Sequence, residues 1–151
     1  MDSKKIQEMT GFELLEAMRL GEIPPASIAV TIPMIITQVL EGEVTFIATA
    51  DDHHLNPLGG VHGGFAATVL DSATGCAVHS ALQAGIGYGT IDLNIKMIRP
   101  IPKNEPLIAQ GKVINLSKSL GIAEGTLTNQ SGKLLVTATA TCMLIKPRHG
   151  E

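Results

Sequence analysis

The sequence predicts an α+β fold: a curved antiparallel β-sheet wrapped around one long central helix, with a short N-terminal helix ahead of it. Three observations predict it. The run from Asn56 to Ala81 is built almost entirely from small and apolar residues and is long enough for roughly four or five helical turns. A helix with no charged face to offer water is expected to be buried. Strand-patterned segments lie in two groups, two before this run and four after it. Grouped strands around one helix argue for α+β rather than an alternating parallel fold. Finally, 151 residues at 44% hydrophobic suffice for one substantial core. The chain is expected to form one domain over 1–151, with a core of about 28–147 and an N-terminal helical extension over 1–24.

Residues 1–10 read as a polar, mobile lead-in. Thr10 to Gly21 then reads as a short helix. Thr10 is placed to cap it, with Glu13 three residues on to complete a capping box, and Gly21 to stop it. Phe12, Leu15 and Met18 recur at helical spacing, with Leu14 four before Met18, and predict the face that packs on the body. Ile23-Pro24-Pro25 ends the element. From Ser27 the composition turns β-rich: Ile28–Ile32 and Ile35–Leu40 predict extended chain, Glu41–Glu43 a turn, and Val44–Ala50 a strand. Gly59, Gly60, Gly63 and Gly64 open the central helix. Gln83 to Gly87 is a loop. Four strands follow: Tyr88–Ile98, Pro106–Leu116, Leu120–Asn129 and Lys133–Ile145. Tyr88–Ile98 alternates, and Thr137, Thr139 and Thr141 share one face of the last strand. Pro147 to Glu151 reads as a frayed tail.

Several function classes are excluded. Net charge is −3 and no block of like charge occurs, so neither nucleic acid nor an anionic membrane is indicated as main partner. No Trp and one Tyr argue against stacking on single-stranded bases. No apolar run reaches membrane-spanning length, and Met1 to Met9 has no apolar stretch behind its lysines to suggest a secretory signal. A cytoplasmic protein is expected, with Cys76 and Cys142 as reduced core thiols. His53 and His54 sit beside Asp51 and Asp52, but adjacent residues on extended chain point apart. No metal site and no cofactor are expected.

The chemical signal is Asp71. A carboxylate inside a buried helix is costly unless it is paired or working. Residue type alone leaves two readings open, a structural carboxylate tied to backbone or hydroxyls, or an acid–base or nucleophilic group. Upstream, the free N–H groups of a helix start attract an anion or a polarised carbonyl oxygen. Glycine there admits a close approach. The rise from Gly63 to Asp71 is about 12 Å. Asp71 therefore cannot attack a carbonyl held at Gly63 of its own helix. If two such helices lie antiparallel across a two-fold axis, Asp71 of one serves Gly63 of the other. By default His62, just ahead of the helix, orients the turn.

Asn56-Pro-Leu-Gly-Gly-Val-His-Gly-Gly64 followed by Phe-Ala-Ala-Thr-Val-Leu-Asp71 resembles the signature of hotdog-fold acyl-CoA thioesterases, in the PaaI-like and 4-hydroxybenzoyl-CoA thioesterase group. Thr90–Pro100 resembles the strand after the helix, and Asn129–Lys133 the final hairpin, so the likeness runs from about Ile28 to Pro147. It implies a hotdog fold and hydrolysis of an acyl-CoA or aryl-CoA. It implies Asp71 as nucleophile or general base, the Gly63 amide as the carbonyl-polarising donor, and Asn56 and Thr90 as polar partners of the same site. His62 and Gly64 at the helix start, and Lys118 and Ser119 near the CoA phosphates, are the implied substrate contacts. It also implies a homodimer at minimum, with a homotetramer expected. Two rivals remain: a non-catalytic acyl-CoA-binding protein, and a hydratase or dehydratase, which needs a His paired with an acid.

Overall fold

The computed structural model describes residues 6–146. The tail expected over Pro147 to Glu151, and the first five residues of the expected lead-in, lie outside the described residues. The elements are α1 (Gly11–Arg19), α2 (Ile28–Thr31), β1 (Met34–Leu40), β2 (Glu43–Ala48), a 3-10 turn (Asp52–His54), α3 (Gly63–Ser80), β3 (Gly87–Met97), β4 (Leu107–Leu116), β5 (Leu120–Thr128) and β6 (Leu134–Ile145). All strand pairs are antiparallel, in the order β1-β2-β4-β5-β6-β3.

α3 contacts every strand of this sheet. Six strands at about 4.8 Å spacing would span about 24 Å if flat, which is wider than a helix of roughly 10–12 Å can reach across. The sheet therefore curls around α3. Glycines on the sheet let the two approach closely. A Cβ at Gly111 of β4 would lie 2.1 Å from the Ala73 carbonyl oxygen, and one at Gly125 of β5 2.9 Å from Thr74 Cγ2. The interface buries Val69, Leu70, Ala73, Ala77 and Val78 completely, each large side chain contributing about 1.5–3 kcal/mol.

α1 forms as expected. Glu13 N–H donates to Thr10 Oγ1 at 3.2 Å, and Thr10 N–H donates to Glu13 Oε2 at 2.8 Å. Its start presses on the end of α3, with Gly11 N–H donating to the Leu82 carbonyl at 3.0 Å. Leu15 is buried and Met18 packs against the core, but Phe12 is exposed. Gly11 is the contact residue on that side, because a side chain there would collide with His79.

The expected extended segment Ile28–Ile32 is instead a single turn of helix, α2. The reason is lateral. β2 ends at Ala48 opposite Met34, and Thr49 N–H closes on the Pro33 carbonyl. Among the described residues no strand lies beyond that point to pair with residues 28–32, so β propensity has no ladder to act through. The Thr31 carbonyl at the end of α2 is met by His54 Nε2 at 2.9 Å. His54 is thus buried and structural, while His53 is exposed.

The alternation expected along β3 is broken once. A bulge between Thr90 and Asp92 shifts the register against β6, so Tyr88 and Thr90, then Leu93 and Ile95, face inward. In β6, Val136, Ala138, Ala140 and Cys142 are buried, and Thr137, Thr139 and Thr141 face outward together.

Candidate active site

The loop before α3 is held by Asn56. Its Oδ1 accepts from Leu58 N–H at 2.9 Å and from Gly60 N–H at 3.2 Å, and its own N–H donates to the Gly60 carbonyl at 2.7 Å. The carboxamide oxygen is committed to the turn, which leaves the Nδ2 amide available. His62 caps α3: its Nδ1 accepts from Gly64 N–H at 2.8 Å. That bond puts the ring proton of neutral His62 on Nε2. It also removes the Gly64 N–H from the donors a ligand could use. The Gly63 N–H makes no hydrogen bond among the described residues. It opens on a cavity of about 290 Å³ lined by Val61, Met97, Ile98, Arg99 and Ile101.

Asp71 lies two turns on. Its Oδ1 is buried with no hydrogen-bond partner among the described residues. A buried, unmet carboxylate oxygen is an expense that packing alone does not explain. Gly75, four residues on and on the same face of α3, fixes what stands opposite. A Cβ there would lie 2.7 Å from Tyr88 Cε2 and 2.9 Å from its hydroxyl. The tyrosine ring therefore sits in the notch at Gly75. Stepping four residues back along α3 moves about 6 Å, and two residues forward along β3 moves about 6.6 Å. Thr90 is thereby brought level with Asp71. Thr90 Oγ1 lies 3.8 Å from Cys142 Sγ, its partner across the sheet.

The electrostatics argue against a cysteine nucleophile here. Cys76 is half-buried, and desolvation pushes its thiol up to about 12, with the Tyr88 hydroxyl opposing the rise and the Asp71 charge adding to it. Cys142 is also raised, chiefly by burial and further by Asp71. Burial raises the Tyr88 phenol well above its ordinary range, assisted by Cys76, Cys142 and Asp71. All three are uncharged at neutral pH, and a neutral thiol is a poor nucleophile. His79 stacks on Tyr88 with ring centroids 5.3 Å apart, and burial lowers its pKa.

Lys118 and Ser119 form the exposed β4–β5 turn. Leu144 N–H donates to the Ser119 carbonyl at 2.8 Å, and Thr90, Cys142 and Gly121 are aligned across the sheet. This turn therefore lies at the Asp71–Thr90 end, away from Gly63 of the same chain. The fold thus brings Asp71, Thr90 and Tyr88 together and keeps Gly63, His62 and Asn56 apart from them. Tyr88 is a neighbour of Asp71 that the sequence did not reveal. Its signal was Gly75, a glycine inside a helix, which marks a close approach. Among the described residues no cluster of His, Cys, Asp or Glu has metal-binding geometry, and no helix is long and apolar enough to cross a membrane.

Residues 58–136 match the thioesterase superfamily. A Halobacterium salinarum protein carrying an esterase name is 44% identical over 68 residues, 44% of each chain. Mouse acyl-coenzyme A thioesterase 13 is 30% identical over 92 residues, 60% of this chain and 65% of that one. The matches thus span 44% and 65% of the length of these two curated relatives. A phenylacetic acid degradation-related protein of Ralstonia eutropha superposes with a TM-score of 0.78 at 33% identity, covering 85% of this chain and 98% of that one. A six-stranded sheet curled on a helix that carries the matched segment, together with these likenesses, makes the chain a member of the thioesterase superfamily with the hotdog fold.

Proposed function

We propose that this protein hydrolyses the thioester of an acyl-CoA or aryl-CoA, with each active site shared between two protomers. The observation that carries the reading is the buried Asp71 Oδ1, which has no hydrogen-bond partner among the described residues. The free Gly63 N–H about 12 Å away along the same helix supplies the complementary half. Two copies of α3 running antiparallel would bring the halves together. An exposed sheet edge supports such pairing: β3 is eleven residues long, borders the sheet and exposes Ile91 at 58%. A long edge strand with unpaired backbone groups is a template for another strand.

In the reaction, Gly63 N–H donates to the thioester carbonyl oxygen and stabilises the charge that develops there. Asp71 of the other protomer takes a proton from water, whose oxygen bonds to the carbonyl carbon. The C–S bond then breaks, and the Asp71 proton goes to the departing thiolate. The products are the free acid and CoA. Direct attack by Asp71 to give a mixed anhydride, then hydrolysed by water, balances equally. Thr90 and the Asn56 amide orient the water, His62 fixes the helix start, and Lys118 and Ser119 lie toward the CoA phosphates. The hydratase alternative is not favoured, since His62 Nδ1 is held by Gly64 N–H rather than by an acid.

The test is release of free thiol from a panel of acyl-CoAs. Asp71→Asn and Asp71→Ala are expected to lower turnover by roughly 10²–10⁴-fold with melting temperature maintained. Folded variants that turn over like wild type would overturn the assignment.

A further inference from the structure

A groove of about 350 Å³ lies on the flank of α3 beside the one that carries Asp71. Its walls are Leu15 and Met18 of α1, Ala29 of α2, Met34 and Ile36 of β1, and Phe46 of β2. Two residues of α3 complete it, Ser72 and Cys76. Ser72 directly follows Asp71, and Cys76 is one turn further on the same face. The groove therefore begins one residue along α3 from Asp71, about 100° round the helix, and runs toward the N-terminal helices. It also reaches inward, because Met34, Phe46 and Leu15 are core residues with 3–5% exposure.

We infer that this groove receives the acyl part of the thioester and selects an unsubstituted hydrocarbon group. This rests on the thioesterase reading of the Asp71 site. The lining is chemically one-sided. The only charged side chain is Arg19, at the surface and already bonded to Glu16 through Nε at 2.8 Å. Ser72 and Cys76 line the groove from α3, and apart from Arg19 the rest of its lining, from Leu15 to Phe46, has no side chain able to hydrogen-bond a hydroxyl or carboxylate. A polar acyl terminus would be buried there unpaired, which a binding site rejects strongly. Met18 and Met34 are unbranched and adapt their shape, which suits a flexible chain. At about 30 Å³ per water-sized volume, the space holds on the order of ten heavy atoms. The helical segment that precedes the sheet thereby becomes the specificity element of the enzyme.

The experiment uses the full chain and two readouts. In the first, the methyl signals of Met18 and Met34 are followed by NMR in the non-turnover variant Asp71→Asn, with octanoyl-CoA or with CoA alone as probe. Both signals are expected to shift with octanoyl-CoA and to stay in place with CoA. In the second, thiol release is compared for acetyl-, octanoyl-, succinyl- and 4-hydroxybenzoyl-CoA. Octanoyl-CoA should exceed succinyl- and 4-hydroxybenzoyl-CoA at least tenfold in kcat/KM. Ala29→Trp, and Ala26→Trp at the rim should the first variant fold poorly, should lower the octanoyl-to-acetyl ratio at least tenfold. Unshifted methionine signals, or ratios unchanged by both tryptophans, overturn the groove as acyl site even if thiol is released. Shifted signals with no thiol release from any substrate uphold the groove and reject hydrolysis instead. Loss of dimer in both variants with unchanged selectivity assigns the groove to subunit contact and overturns the inference.

Discussion

At the scale of single residues, the site is a set of uncharged neighbours gathered around one carboxylate. Cys76 illustrates the consequence. Its thiol rises from 9.0 to about 12 on folding, first because it is buried. Above pH 9 the unfolded chain loses this proton while the folded chain keeps it, so the unfolded state binds fewer protons and stability falls with rising pH. The contribution is fully present below about pH 9 and is lost between 9 and 12. The Tyr88 phenol, also raised, acts in the same direction above its ordinary range. Melting temperature is therefore expected to drop between pH 8 and pH 11, and Cys76→Ala to drop less over the same interval. Thermal unfolding by circular dichroism measures both slopes; parallel slopes would show that folding does not raise the Cys76 thiol.

At the scale of elements, α3 and β3 are fitted to each other through one pair, Gly75 and Tyr88. Glycine inside a helix costs about 1 kcal/mol relative to alanine, yet a Cβ here would meet the ring at 2.7 Å. Gly75→Ala is expected to destabilise by about 1–3 kcal/mol through overpacking. In a Tyr88→Ala background the same change should instead stabilise, since only the helix preference remains. The sign reversal in denaturant unfolding is the measurement, and a coupling near zero would separate the two residues. Elements also show how far sequence carries. The capping box of α1, the β1–β2 hairpin and the threonine face of β6 were legible because each is decided by neighbours in the chain. α2 was not legible, because Ile28–Ile32 has strand propensity and only the lack of a pairing strand denies it a ladder. The β3 bulge was hidden for a similar reason: it is a mismatch of register with β6, visible only when both strands are present.

At the scale of the whole molecule, the proposed mechanism needs two chains, because Gly63 and Asp71 of one helix are about 12 Å apart. Gly63→Pro removes the proposed N–H at a helix position that tolerates proline, and His62 already has the extended backbone, φ −65 and ψ 138, that a following proline requires. Each single variant is expected to be nearly inactive. Mixed and reassembled, Asp71→Ala and Gly63→Pro chains should recover about a quarter of wild-type thiol release, because half the dimers are hybrids with one intact site of two. No recovery, with hybrid dimers demonstrated by mass, would place both groups in one chain's site.

By itself the sequence determined the apolar helix, the grouping of strands around it, and the acid at position 71 behind a glycine-rich start. These follow from periodicity, turn chemistry and the cost of burying a carboxylate, all of which act over short stretches of chain. Only the tertiary structure decided which groups surround Asp71. Tyr88 and Cys142 reach it through sheet register, and the groove beyond Ser72 exists because α1 and α2 fold back over β1. Sequence separation carries no information about such meetings until the sheet has curled around the helix and set every register at once.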